Sequence, residues 1–129
     1  MDEAGTLARF NRPSGVCLDP GAVNLFVADT NNNRLRTISL ANNSVTTLAG
    51  GAPGFRNDVI GANAMFNLLM ACVVHPSQPL VFVSDSGNNA IRTVSFAGAT
   101  ATLAGGTIGA PYWKDAVGTN AVFKFPVVS

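Results

Sequence analysis

The chain has 129 residues, of which 47% are apolar and 12% are charged, and its formal net charge is +1. This composition provides ample material for a hydrophobic core and excludes an intrinsically disordered chain. The near-neutral charge gives no electrostatic basis for binding nucleic acid or an anionic membrane, and no apolar run reaches the roughly 18 residues of a membrane-spanning helix.

A nine-residue pattern, Asp-x-x-Gly-x-x-Ala-x-Phe, occurs three times along the chain. Its copies begin at Asp2, Asp58 and Asp115, so they lie 56 and then 57 residues apart. A regular spacing of this length is typical of architectures that stack one structural unit repeatedly. We therefore interpret the pattern as the joint between neighbouring repeats.

Each residue type in the joint has an expected role, which the second copy illustrates. We expect its aspartate to fix the loop and Gly61 to permit a backbone turn. Ala64 allows two segments to approach closely, and Phe66 fills the gap between neighbouring repeats.

Each repeat also predicts four short strands separated by turns. In the first repeat these strands cover residues 16–18, 24–28, 35–40 and 45–49, and the second repeat follows the same plan. Thirteen glycines and seven prolines supply the turns, and an Asn-rich stretch at 29–33 predicts a hairpin loop. The second strand is apolar without alternation, which indicates burial on both faces.

Four short antiparallel strands per repeat, with the middle of the unit doubly buried, describe a blade of a β-propeller. We predict an all-β fold: a β-propeller segment of about two complete four-stranded blades plus partial flanking units. The predicted boundaries are the end of a preceding repeat at 1–10, a blade at 11–66, a second blade at 67–123 and the start of a third at 124–129.

Two blades cannot close a ring of the usual 4–8 blades. We therefore expect the remaining blades of the same propeller to be partners of this segment. The isolated segment should be marginally stable or prone to aggregation, because open blade edges expose unpaired strands.

With these motifs in place, the chain resembles the NHL-repeat family of β-propellers in its long-repeat subtype. The resemblance is carried by the sequences PSGVCLD at 13–19, NLFVADTNNNRLR at 24–36 and TLAGG at 47–51, together with the repeated Asp-Gly-Ala-Phe pattern. It implies a scaffold whose faces bind protein, peptide, glycan or, in some members, single-stranded RNA. A minority of similar propellers are enzymes, including a metal-dependent lyase.

Charged residues recur at equivalent positions of the two repeats. They are Asp29 and Asp85, Arg36 and Arg92, and the three aspartates of the joint pattern. A catalytic centre in a propeller needs different residues from different blades, so this repetition favours structural roles. We expect Asp29 and Asp85 to close hairpins and the joint aspartates to anchor loops. Both arginines should be semi-buried and paired, because unpaired burial of a charge is costly.

The two cysteines and the single histidine do not form a metal motif. Cys17 aligns with Val73 and Cys72 aligns with Val16, so the cysteines occupy non-equivalent repeat positions. We expect both to be small apolar core residues, and a disulfide between them is the alternative. His75 follows a strand without a neighbouring nucleophile or acid, so we expect a structural role.

The least repeated feature of the chain is the run Tyr112, Trp113 and Lys114, and the equivalent place in the first long loop is held by Phe55, Arg56 and Asn57. An exposed aromatic pair beside a lysine can stack on a sugar or base, or anchor a protein interface. These three residues are the candidate ligand or partner contact. The alternative is that Tyr112 and Phe55 fill gaps between blades.

The sequence predicts no catalytic, cofactor-binding or metal-binding residue. Our first hypothesis is a non-enzymatic scaffold that binds a protein or peptide, with glycan as the other candidate ligand. Nucleic acid is disfavoured because seven carboxylates offset the basic residues. The alternative hypothesis is a fragment of a propeller enzyme, lyase or hydrolase-like, whose active centre lies in blades not present here.

One further motif bears on localisation, which the sequence otherwise leaves open. Asn42, Asn43 and Ser44 form a glycosylation sequon on a predicted hairpin tip. Such a sequon is used only in a secreted or cell-surface protein, and it gives a slight preference for that localisation.

Overall fold

The computed structural model describes residues 2–106, whose strands form two antiparallel four-stranded sheets. The first sheet contains β1 (Pro13–Leu18), β2 (Asn24–Asp29), β3 (Arg34–Ser39) and β4 (Val45–Gly50). The second contains β5 (Leu69–Val74), β6 (Leu80–Asp85), β7 (Ala90–Ser95) and β8 (Thr100–Gly105). Strands lie in chain order within each sheet, which confirms the all-β fold and the two predicted blades. No helix in residues 2–106 has the length and apolar character needed to cross a membrane.

The Asn-rich loops form as predicted. Each consists of one turn of 3₁₀ helix, Thr30–Asn32 in the first blade and Ser86–Asn88 in the second. Asn33 and Asn89 end these turns with φ of 53°, in the left-handed region that Asn tolerates better than most residues. The loops return the chain from β2 to β3 and from β6 to β7.

The two blades share one hydrophobic core. It combines residues of both sheets, including Phe26, Leu35, Val81 and Val83, and β1 lies directly against β5. Phe66 is fully buried among them, so its predicted place in the gap between blades is confirmed.

The glycine of the joint differs between its two described copies, since Gly5 in the first copy adopts the expected positive φ, of 54°, and Gly61 in the second does not. A Cβ added to Gly61 would overlap the carbonyl oxygen of Leu48 in β4. The glycine is therefore required by the close approach of the connection to β4 and not by a backbone turn. Ala64 is also buried, at 1% exposure.

Cys17 and Cys72 form a disulfide that joins β1 to β5, with their Cα atoms 5.8 Å apart. The expectation that they are independent core residues was therefore wrong. Facing sheets present opposite faces to each other, and neighbouring residues of a strand point to opposite faces. A bridge between two like blades thus needs repeat positions that differ by an odd number, as these do.

We expect reduction of this disulfide to lower the free energy of unfolding by about 2–4 kcal/mol, because the bond closes a long loop in the unfolded chain. Urea denaturation with and without reductant measures the difference. The control is the variant Cys17→Val with Cys72→Val, which uses the valines found at the equivalent positions and should not respond to reductant. Two titratable thiols in the untreated, denatured chain would contradict the bond.

Candidate functional site

A buried ion pair lies at the end of the middle strands in each blade. In the first blade, Arg36 Nη1 donates to Asp29 Oδ2 at 2.9 Å, and both side chains are fully buried. In the second blade, Arg92 Nη1 donates to Asp85 Oδ2 at 2.5 Å with the same burial. The arginines, expected to be semi-buried, are therefore completely enclosed, and the paired structural role predicted for them is confirmed.

The ion pairs also hold the segment that enters each blade. Asp85 Oδ1 accepts the backbone N–H of Asn67 at 2.7 Å, while Arg92 Nη1 donates to the carbonyl of Met65 at 2.8 Å. In the first blade, Asp29 accepts from the backbone of Asn11 at 2.8 Å in the same manner. Each pair thus joins the hairpin loop to the connection before the inner strand.

Aromatic rings cover the guanidinium groups. The Arg92 Cζ atom lies 4.7 Å from the centre of the Phe55 ring and 4.6 Å from that of Phe66. In the first blade, the Arg36 Cζ atom lies 5.0 Å from the centre of the Phe10 ring. A cation over an aromatic face gains electrostatic energy when water is excluded, so these rings help to offset the burial of the charges.

The joint aspartates do not share one role. Asp2 accepts from Arg36 Nη2 at 2.7 Å and from the Thr47 side chain at 2.9 Å. In the second blade the equivalent hydrogen bonds are made by Asn57, which accepts from Arg92 Nη2 at 2.7 Å. The repeated pattern makes Asp58 the equivalent of Asp2. It therefore gives no sign that Asn57, one position before Asp58, makes these hydrogen bonds instead.

Asp58 instead organises its own loop. Its Oδ1 accepts the backbone N–H of Ile60 at 2.9 Å, and its Oδ2 forms an ion pair with Arg56 Nη2 at 3.4 Å. The predicted loop-anchoring role is therefore seen for both Asp2 and Asp58, but with different partners. Asp115 lies outside the described residues.

Burial and charge act in opposite directions on the pKa values of these groups. Burial raises the pKa of the Asp85 carboxyl and lowers the pKa of Arg92, and their mutual attraction opposes both shifts. Partial burial also raises the pKa of Asp2, but hydrogen bonds from Thr47 and the charge of Arg36 outweigh this effect. The pKa of Asp2 consequently lies below its ordinary value of 3.8.

His75 closes the turn between β5 and β6. Its Nδ1 accepts the backbone N–H groups of Ser77 at 3.1 Å and Gln78 at 3.0 Å. In the first blade Asp19 performs the same task, accepting the N–H of Val23 at 2.8 Å. The structural role expected for His75 is confirmed. Among residues 2–106, no group of three His, Cys, Asp or Glu side chains could hold a metal ion.

An open pocket of about 290 Å³ lies at the seam between the blades, where β1 and β5 begin. Its lining residues are Arg12, Ser14, Thr30, Asn31, Leu68 and Met70. The repeated motifs do not indicate this pocket. The available signal was a change of chemistry between repeats, because Arg12 is aligned with Leu68 and Ser14 with Met70.

The predicted contact residues Tyr112, Trp113 and Lys114 lie outside the described residues, so this prediction stays a prediction. The structure does describe Phe55, which stands where Tyr112 stands in the next repeat. Phe55 is 37% exposed, and its ring covers Arg92 at the edge of the second blade. One face of this ring is therefore used within the fold.

We expect Arg92→Met to lower the free energy of unfolding by about 3–5 kcal/mol, because it leaves the Asp85 carboxylate buried without its partner. Chemical denaturation of the chain measures the loss. The matched control is Arg9→Met, which changes an exposed arginine and should alter stability by no more than about 0.5 kcal/mol. Equal losses in both variants would show that the ion pair has no special importance.

A second prediction concerns the pH dependence of stability. Because the pKa of Asp2 is lower in the folded chain, its carboxylate stabilises the fold above about pH 4, and this contribution is lost as the pH falls through the folded pKa. Asp2→Asn should therefore reduce stability at pH 7, with the difference from the parent chain shrinking below about pH 3. Urea titrations across this range test it, with the exposed carboxylate variant Glu3→Gln as control. A difference that grows on acidification would contradict the assignment.

Comparison with known proteins agrees with this geometry. Residues 10–38 match the family model of the NHL repeat. Over 97 residues the chain is 34% identical to human NHL repeat-containing protein 2, an alignment that covers 67% of this chain and 13% of that protein. The chain therefore spans only a small part of the length of this relative.

Solved structures share the fold at low sequence identity. A Bacteroides thetaiotaomicron protein of unknown function superposes with a TM-score of 0.59 at 18% identity, over 78% of this chain and 23% of that one. A chain of the nidogen/laminin complex superposes with a TM-score of 0.57 at 14% identity, over 76% of this chain and 32% of that one. Together with the repeated blades and the matched family model, these likenesses show that the chain is a β-propeller segment belonging to the NHL-repeat family.

Proposed function

We propose that this propeller segment is a non-enzymatic scaffold that binds a protein or peptide. The observation that carries the proposal is the burial and pairing of the charged residues that recur in both repeats. Asp29, Arg36, Asp85 and Arg92 are fully buried and paired with one another within each blade. These groups hold the hairpin loop of each blade to the connection that precedes it. The exposed and non-repeated side chains are therefore the ones left to contact a ligand.

Trp113 is the main contact residue in this proposal. It stands where Arg56 stands in the preceding repeat, and the Arg56 side chain is 55% exposed. Tyr112 stands where the preceding repeat has Phe55, whose ring covers an arginine. Trp, Tyr and Arg are the residue types that most often dominate the binding energy of protein interfaces, so a Trp beside a Tyr suits a partner contact. A glycan, which also stacks on such rings, is the other candidate ligand.

The proposal treats residues 11–66 and 67–123 as the two blades, flanked by the end of one repeat at 1–10 and the start of another at 124–129. Further blades of the same propeller are expected to pack against the outward faces of these two sheets. The nidogen/laminin complex supports the proposal by analogy only, since a fold like this one occurs there within a protein complex.

We also propose that the protein functions in an oxidising compartment, as a secreted or cell-surface glycoprotein. The Cys17–Cys72 disulfide supports this, because such bonds persist where thiols are not kept reduced. Asn42 supports it independently. It is exposed on the turn before β4, and its Oδ1 accepts the backbone N–H of Ser44 at 3.0 Å.

We expect Trp113→Ala to weaken ligand binding by at least about 2 kcal/mol, which corresponds to roughly thirtyfold in affinity, as for a central interface residue. Peptides selected by display on the chain, and a glycan array, provide the ligands for the measurement. Val59→Ala is the control, because Val59 is an apolar loop residue with 79% exposure.

Unchanged binding in Trp113→Ala would contradict Trp113 as the contact but not the scaffold, which would then bind its ligand elsewhere. Two outcomes would contradict the scaffold itself. The first is the absence of any peptide or glycan ligand for the parent chain, and the second is metal-dependent turnover of peptide or ester substrates by the chain, which would favour the alternative of a propeller enzyme.

A further inference from the structure

We propose that the pocket at the seam between the blades binds a peptide that carries a carboxylate next to an apolar side chain. The proposal rests on the scaffold function and names one place where the scaffold would recognise its ligand.

The wall supplied by the first blade is polar and cationic. Arg12 is exposed, and its side chain forms no ion pair within residues 2–106, whereas Arg36, Arg56 and Arg92 all do. A guanidinium presents a planar set of donors that matches a carboxylate in a bidentate arrangement. Arg12 is therefore a ready partner for an anionic group that comes from outside the fold.

The opposite wall is apolar. Leu68 and Met70 are half-buried at the start of β5 and face the polar wall across the pocket. Methionine adapts its shape to different apolar groups, which suits a surface that accepts a side chain from a partner. A ligand that satisfies both walls needs a negative charge and an apolar group within a few ångströms of each other.

The floor of the pocket is fixed by hydrogen bonds across the seam. The Thr30 hydroxyl donates to the carbonyl oxygen of Leu69 at 2.6 Å, and the Ser14 hydroxyl donates to that of Met70 at 2.5 Å. These hydroxyls are used within the fold and shape the pocket. Exposed Asn31 at the rim retains its carboxamide oxygen to accept a peptide N–H.

Comparison of the repeats shows that the fold does not require an arginine at position 12. Arg12 has φ of 52° and its equivalent, Leu68, has φ of 58°, so both positions adopt the same left-handed conformation. A leucine is thus compatible with the left-handed backbone conformation that Arg12 adopts. The positive charge of Arg12 has no structural counterpart in the second blade, which points to a role in binding.

The size of the pocket also limits the ligand. About 290 Å³ lies just below the range for small-molecule sites, roughly 300–1,000 Å³. A pocket of this size suits one or two side chains. An acidic residue with an aliphatic neighbour fits both the volume and the two walls.

The test is a hexapeptide display library selected on the whole chain, followed by affinity measurements with the synthetic peptide Ser-Leu-Glu-Leu-Ser and its Gln counterpart. Selection should enrich Asp or Glu beside aliphatic residues, and the Gln peptide should bind more weakly. Arg12→Leu should reduce affinity for the Glu peptide by roughly tenfold to a hundredfold, as for a lost charged hydrogen bond.

The variant keeps the experiment interpretable because Leu68 shows that leucine is compatible with this backbone position. Thermal melts of the parent chain and Arg12→Leu should coincide. Asn31→Gly, which copies Gly87 of the second blade, is a second variant on the pocket rim and should weaken binding to a smaller extent.

Three outcomes would overturn the assignment of the pocket as a peptide site. The first is equal binding of the Glu peptide by the parent chain and Arg12→Leu, and the second is a selection that does not enrich acidic residues. The third is binding of a ten-nucleotide single-stranded RNA in place of any peptide. Binding that depends on Trp113 and not on Arg12 would also overturn this assignment, while leaving the scaffold function standing. Failure of the scaffold itself would appear as no peptide or glycan ligand for the parent chain.

Discussion

The buried Asp–Arg pair is the interaction on which each blade depends. Arg92 Nη1 lies 2.5 Å from Asp85 Oδ2 with no solvent access to either side chain. The same arginine also binds the carbonyls of Met65 and Arg56, at 2.8 and 2.7 Å, so one guanidinium fixes a hairpin end and the preceding connection. Two charges at this depth are tolerated only because nearly every donor and acceptor is satisfied, since an isolated buried charge would cost several kcal/mol.

The buried Asp–Arg pairs could be predicted from the sequence because two residues of opposite charge recur at the same spacing in each repeat. An Asp and an Arg seven positions apart recur in both blades, and a turn-forming Asn run lies between them in the first. The strands follow from apolar runs bounded by Gly, Pro and Asn, which are local signals. The partner of Arg92 could not be predicted in the same way. Asn57 takes the place of Asp2 because it, and not Asp58, lies beside Thr102 of β8, to whose hydroxyl its Nδ2 donates at 2.9 Å. That register between the connection and β8 is a property of the packed chain.

The disulfide shows how an argument from equivalence can mislead. Cys17 and Cys72 occupy different repeat positions, which for a single strand pattern argues against a common role. In stacked blades the opposite holds. A residue on the face of β1 that is turned toward β5 can meet only a residue on the face of β5 that is turned toward β1. In two like blades these are opposite faces of the repeat, and side chains alternate between the faces along a strand. Non-equivalence is therefore the expected signature of a bond between two like blades, and recognising it requires knowing that the sheets stack face to face.

The seam pocket could not be predicted from the chain order for a related reason. Arg12 and Met70 are 58 positions apart in sequence and meet only because β1 and β5 begin at the same end of neighbouring blades. Once that placement is known, the repeat becomes a control for function. Residues present in both blades, such as the Asp–Arg pairs, are explained by the fold they share. Arg12 is replaced by Leu68 while the backbone keeps the same left-handed conformation, so the charge of Arg12 is free to serve a ligand.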